Sequence, residues 1–130
     1  GSRDNPRAQA HVVRLPSKTI CGRAESILDI GPETIRLFAQ HIKTAKTLVW
    51  NGPVGMFENP KFAHGSLALG RLIAARSSGP AFGVVGGGET VAALQQTGLA
   101  AHADWVSTGG GAMLEFLEGK KLPGIKILNL

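Results

Sequence analysis

Apolar positions along the chain alternate between two spacings. From Pro32 to Lys46 the spacing is helical: Ile35, Phe38, Ala39 and Ile42 stand at i, i+3, i+4 and i+7, with Lys43 and Lys46 in the last turn. Gly31-Pro32 marks the start, because Pro at the first helical position has a preset φ and lacks only an N–H that would go unpaired. Short apolar runs separate such stretches. They are Ala10–Leu15 (closed by Pro16), Ile27–Ile30, Thr47–Trp50, Ala81–Val85 and Trp105–Val106, and they predict strands or extended pieces. Residues 17–25 are polar and predict a loop. A second helix is predicted after Asn59-Pro60, with Phe62, Leu69 and Ile73 on its stripe and Gly79-Pro80 at its end. A third covers Thr90–Gln96 with Gly98 as its stop, and a fourth covers Ala112–Glu118, closed by Gly119. Lys120–Leu130 predicts a tail. Strand and helix in alternation define an α/β class, with a mainly parallel sheet, Rossmann-like in three layers with helices on both faces. No internal boundary interrupts residues 1–130, so one domain is expected, its first nine residues flexible.

Composition narrows the class. Hydrophobic residues make up 43% of 130, enough for a working core, and no apolar run is long enough to span a bilayer. The net charge of +5 is spread over presumed helix faces (Arg36, Lys43, Lys46, Arg71, Arg76) and the chain ends, and Tyr is absent. A nucleic-acid surface needs basic residues interleaved with aromatic platforms, so nucleic acid is not expected as a partner, nor is a membrane. The one cysteine, Cys21, excludes an internal disulfide, suits a reducing compartment and reads as an ordinary small side chain. The polar start has no signal-peptide core, and Gly1-Ser2 resembles an expression scar. The expected location is the cytoplasm. The four histidines, His11, His41, His64 and His102, show no metal-ligand spacing.

Glycine changes the picture more than charge does. There are 18, about twice the ordinary share of roughly 7%, and they cluster where apolar runs end: Asn51–Glu58, Gly86–Thr90 and Ser107–Gly111. In a parallel sheet, loops leaving the carboxyl ends of adjacent strands open on one edge. Bare N–H groups at a helix start, at the positive end of its dipole, favour phosphate. Two common phosphate fingerprints fail. A Walker A loop ends in Gly-Lys-Ser/Thr, but Gly88-Glu89-Thr90 puts an acid at the Lys position. A dinucleotide loop starting at Gly86 and Gly88 would need a third glycine where Val91 stands. Glu89, directly after three glycines, suits either a first-turn helix acid or a ligand for Mg²⁺ beside phosphates. Glu58 reads as a solvent-facing acid or as an acceptor for sugar hydroxyls.

Four segments in order carry a specific resemblance: Asp29–Pro32, Trp50–Glu58, Gly86–Leu94 and Ser107–Gly124. Together they resemble the carboxyl-terminal, nucleotide-binding part of phosphoglycerate kinases. The resemblance implies reversible phosphoryl transfer between 1,3-bisphosphoglycerate and ADP, with Mg²⁺ and ADP or ATP bound on this domain. It also implies a second, amino-terminal domain that carries the phosphoglycerate and closes like a hinge. By matching motif, Asn51 and Pro53 would contact the nucleotide, Glu58 the ribose, and Leu28 and Met56 the base. The amides of Gly87, Gly88, Gly110 and Gly111 would hold the transferred phosphoryl group. Thr90 would meet the phosphate chain, and Glu89 would occupy the metal-binding position. Such chemistry rests on positioning and charge stabilisation, which suits glycines in place of nucleophilic side chains.

Two departures stand out. The family pattern is Gly-Gly-Gly-Asp-Thr, whereas this chain has Glu89, whose extra methylene moves the carboxylate outward by about 1.5 Å. The amino-terminal domain and the early part of the nucleotide domain lie outside these 130 residues, so this chain alone is expected to be inactive. An alternative expectation is a non-catalytic nucleotide- or anion-binding module. A third is an interaction partner that offers an unpaired sheet edge.

Overall fold

A computed structural model describes residues 27–128. The expected strand Ala10–Leu15, the loop 17–25, Cys21 and the flexible start lie outside these residues. The first helix, α1 (Pro32–Thr44), has Pro32 in its first turn and Glu33 there too, with His41 and Lys43 at its basic end. Ile42 is its buried residue, and Phe38 packs on the core beside it. The helix stops where Ala45 turns extended (φ −63°, ψ 142°). The Ala45 carbonyl is then taken by the Arg76 guanidinium, at 3.1 Å from Nε and 3.0 Å from Nη2. That pairing ties the end of α1 to the second helix, α2 (His64–Ser77).

Three strands form the sheet: β1 (Thr47–Asn51), β2 (Phe82–Gly86) and β3 (Trp105–Ser107). They are parallel and lie in chain order. Side chains alternate between faces, and the register pairs Leu48 with Gly83 and Trp50 with Val85. That face is the core side. Val85 is fully buried and clusters with Trp50, with Ile42 of α1, with Leu69 and Ile73 of α2, and with Leu94 of α3 (Gly88–Gln96). The opposite face carries Val49, Phe82 and Trp105, exposed by 45%, 53% and 64%. The fourth helix, α4 (Gly110–Leu117), begins on that side: a Cβ built on Gly86, which alternates with Gly83 and Val85, would run into the Met113 thioether. The parallel α/β class is therefore as expected, with helices reached from both faces.

Four local details differ from the sequence expectation. Residues 27–30 are irregular, not extended in a strand, because Asp29 spends its carboxylate on neighbouring backbone, as described below. Asn59-Pro60 starts a single 3₁₀ turn, Pro60–Phe62, in which the Asn59 side chain accepts the Lys61 N–H at 3.1 Å; α2 begins only at His64, leaving Phe62 outside the helical stripe. The third and fourth helices start two residues early, at Gly88 and Gly110, so the glycine triplets are partly first-turn helix and not only loop. The expected tail contains one more short helix, α5 (Pro123–Ile127), with Pro123 again at the start.

Candidate phosphate and nucleotide site

The register puts Asn51, Gly86 and Ser107 side by side at the carboxyl edge of the sheet. All three glycine-bearing loops therefore leave the same edge. The first consequence is a cleft of about 320 Å³ lined by Asn51, Gly52, Gly87, Gly88, Glu89, Thr90, Thr108, Gly110 and Gly111. Seven of the residues singled out in the sequence meet there.

Two helix N-termini face this cleft. α3 starts after Gly87, whose φ of +87° is in the left-handed region that glycine enters without a Cβ penalty. Its N–H donates to the Ser107 carbonyl at 3.0 Å, which pins the second loop to the third. Gly110 comes close on the other side. A Cβ there would lie 2.5 Å from Asn51 Oδ1, 2.8 Å from Gly87 Cα and 2.9 Å from Gly87 N. Only a residue without a side chain lets the α3 and α4 starts approach this closely. Neither helix has a side-chain cap, so the first-turn N–H groups, which lack partners within their own helices, remain available to an anion. Asn51 Oδ1 is buried among these glycines with no hydrogen-bond partner among the described residues.

The cleft's acid is Glu89, exposed in the first turn of α3. It is the single carboxylate among the lining residues. Mg²⁺ bound with a nucleotide takes one or two carboxylates, phosphate oxygens and waters, and one exposed carboxylate beside two rows of amides fits that donor set. Thr90 behaves differently from its neighbours. It is fully buried, and its Oγ1 accepts the Gly52 N–H at 2.7 Å.

Leu28, Pro53 and Met56, expected at the nucleoside, are not among the residues lining the cleft. Met56 donates its N–H to the Leu28 carbonyl at 2.8 Å, which brings these two expected base contacts together. Pro53 is half-buried between Gly52, on the cleft, and Val54. Glu58 lies elsewhere: it borders a separate, mainly apolar cavity of about 180 Å³ with Trp50, Phe57, Gly70, Leu94 and Thr97.

Two residues that the sequence reading left without a role hold this arrangement. Asp29 accepts the Ile30 N–H at 2.8 Å through Oδ1 and the Gly65 N–H at 2.9 Å through Oδ2. It therefore caps the first turn of α2 from a distance and anchors the segment that carries Leu28. Ser66, only 2% exposed, accepts the Val54 N–H at 2.8 Å and donates to the Val54 carbonyl at 2.6 Å. An acid inside the Asp29–Pro32 motif was a signal for the first. The second had none, since Ser66 is one small residue in a helix.

Parallel strands feeding two uncapped helix starts onto one edge define an α/β protein whose main-chain amides gather at that edge. Comparison with known proteins names the lineage. A family model described as phosphoglycerate kinase matches residues 3–120, and the chain belongs to that family. A phosphoglycerate kinase of Francisella tularensis subsp. tularensis is 53% identical over 105 residues, covering 81% of this chain and 26% of the relative. One from Desulfosudis oleivorans is 48% identical over 126 residues, covering 97% and 30%. Among solved structures, the Coxiella burnetii enzyme matches with a TM-score of 0.71 at 49% identity, covering 80% of this chain and 26% of that one. The Pyrococcus horikoshii enzyme matches at 0.68 and 38%, covering 80% and 25%. The chain thus spans about a quarter to a third of the length of these relatives. No described helix is long and apolar enough to cross a membrane.

Proposed function

We propose that this chain is the ADP- and ATP-binding part of a phosphoglycerate kinase of the cytoplasm. The whole enzyme would transfer a phosphoryl group reversibly between 1,3-bisphosphoglycerate and ADP, with the phosphoglycerate held by an amino-terminal domain. The observation that carries this reading is the approach of Gly110 to Gly87 and Asn51, which brings two helix N-termini onto one cleft. Amides of Gly88, Gly110 and Gly111 then hold the transferred group; the Gly87 amide, expected among them, is instead spent on the Ser107 carbonyl at 3.0 Å. Those three are fixed donors, needing no reorganisation as charge develops. Asn51 and Pro53 contact the nucleotide, Leu28 and Met56 border the base, and Glu58 is the ribose acceptor when the loop turns it towards the sugar. Thr90, expected at the phosphate chain, has its hydroxyl oxygen engaged by the Gly52 N–H at 2.7 Å. Bound Mg²⁺ neutralises phosphate charge, with Glu89 as the protein ligand that fits it.

Calorimetric titration of the chain with ADP, with and without Mg²⁺, tests the reading. Saturable binding that tightens with Mg²⁺ is the expected result, and no heat from ADP or ATP up to millimolar concentration would refute it. Supplied with 1,3-bisphosphoglycerate, the chain alone should turn over negligibly, because half of the substrate site belongs to the other domain. A second reading, a binding module that has lost transfer, is favoured by Glu89 standing where the family pattern has Asp. Glu89→Asp separates the two: a gain in Mg²⁺-dependent affinity identifies a weakened metal site, and no gain supports the module.

A further inference from the structure

Thr90 lies at the border of the cleft yet is 0% exposed. Its hydroxyl oxygen accepts the Gly52 N–H at 2.7 Å, a contact between residues 38 positions apart. On the Gly52 side the chain continues into Pro53 and Met56, the nucleoside loop. On the Thr90 side it is the first turn of α3, the phosphate loop. One hydrogen bond thus joins the two halves of the nucleotide site.

We propose that Thr90 is a positioning residue, which fixes the spacing between the β1 loop and the α3 start through Gly52 and does not act as a phosphate ligand through its own hydroxyl. This rests on the nucleotide reading above. Three observations support it. The Thr90 side chain is enclosed, so its place is set by packing. A β-branched side chain has few χ1 options, which aims the oxygen at Gly52 in the absence of ligand. The rest of the loop is held from other directions: Val54 by Ser66 and Met56 by the Leu28 carbonyl. Those bonds fix the loop against α2 and the Asp29 segment, leaving Gly52–Thr90 as the hydrogen bond that fixes it against the phosphate-binding helix.

The two roles differ in what they do to ligands of different length. ADP reaches from the nucleoside loop to the α3 and α4 starts, whereas inorganic phosphate needs only the latter. Thr90→Val keeps the shape and removes the oxygen; Gly52 is exposed, so water can take its N–H and the fold persists. Thr90→Ser keeps the oxygen. The experiment measures ADP and inorganic phosphate affinity by titration, and Gly52 amide exchange by NMR, on wild type and both variants of this chain. In T90V, ADP affinity should fall about tenfold, the equivalent of one ordinary hydrogen bond. Phosphate affinity should stay within about twofold, and Gly52 exchange should speed up by about tenfold or more. T90S should return ADP affinity and Gly52 protection close to wild type. Equal losses for ADP and phosphate in T90V would make Thr90 a direct phosphate ligand and overturn the proposal, as would unchanged Gly52 exchange. Wild-type chain that takes neither ligand would refute the nucleotide reading instead, with Gly52 exchange still deciding whether Thr90 holds the loop.

Discussion

Replacing Asp29 by Asn changes one atom's chemistry and almost none of its shape. The carboxylate accepts two backbone N–H groups, from Ile30 at 2.8 Å and Gly65 at 2.9 Å. A hydrogen bond to a charged acceptor contributes about 1.5–3 kcal/mol, a neutral one about 1. Asn keeps one oxygen, so one neutral bond survives, while its NH₂ faces the other N–H, donor against donor. The helix start at Gly65 also loses a negative charge near its dipole, worth about 0.3–1 kcal/mol at a surface. Asp29 is half-buried, and water recovers part of the loss. The net destabilisation should be about 2 kcal/mol, with Asp29→Ala larger because no acceptor remains. Urea unfolding followed by tryptophan fluorescence reads this directly. Trp50 is buried at 7% exposure while Trp105 is 64% exposed, so the signal change comes mainly from Trp50. At a slope of about 2 kcal/mol per molar urea, the D29N midpoint should drop by about 1 M. A midpoint within about 0.2 M of wild type would show that Asp29 does not anchor α2. The same variant should weaken ADP binding, since the Leu28 carbonyl that holds Met56 belongs to the anchored segment; circular dichroism separates that from global unfolding.

Other substitutions discriminate between neighbours. Gly110→Ala should abolish measurable ADP binding, because its methyl would meet Asn51 Oδ1 and the Gly87 backbone, whereas Gly88→Ala, with open space around its Cβ, should bind ADP within about threefold of wild type. Equal behaviour in a titration would contradict the close approach of the two helices. Ser66→Ala leaves the Val54 N–H and carbonyl without their partner and should cost about 1–3 kcal/mol in thermal or urea unfolding; a change below about 0.5 kcal/mol would argue that water replaces the hydroxyl.

The parts of the fold legible in the sequence were those written in periodicity and punctuation. Pro32, Gly98 and Gly119 bounded helices as expected, the latter two at φ of +69° and +86°. The apolar runs at Thr47, Ala81 and Trp105 became the three parallel strands. Helix starts at Gly88 and Gly110 were misplaced because glycine carries little helix propensity, and here tertiary approach, not propensity, decides its conformation. The meeting of three loops at one sheet edge was legible because clustered glycines flag each of them. Its scaffold was not. Asp29 and Ser66 act on residues 36 and 12 positions away, and a polar side chain's distant partner leaves no local spacing to read. Glu58 shows the same limit in the other direction, since motif order alone does not say that its side chain borders a different cavity from Asn51.

The cradle at Gly87 and Gly110 is made of peptide amides, and that has a consequence for how its binding responds to the medium. A peptide N–H has no proton to lose across the range in which proteins live, and it offers no thiol or imidazole to oxidise, alkylate or titrate. The amides themselves add no pH dependence to anion capture; what they see change is the ligand, whose terminal phosphate gains its second negative charge near pH 6. The amide part of such a surface is indifferent to redox state and to acidity, and it answers to the ionisation of whatever it holds.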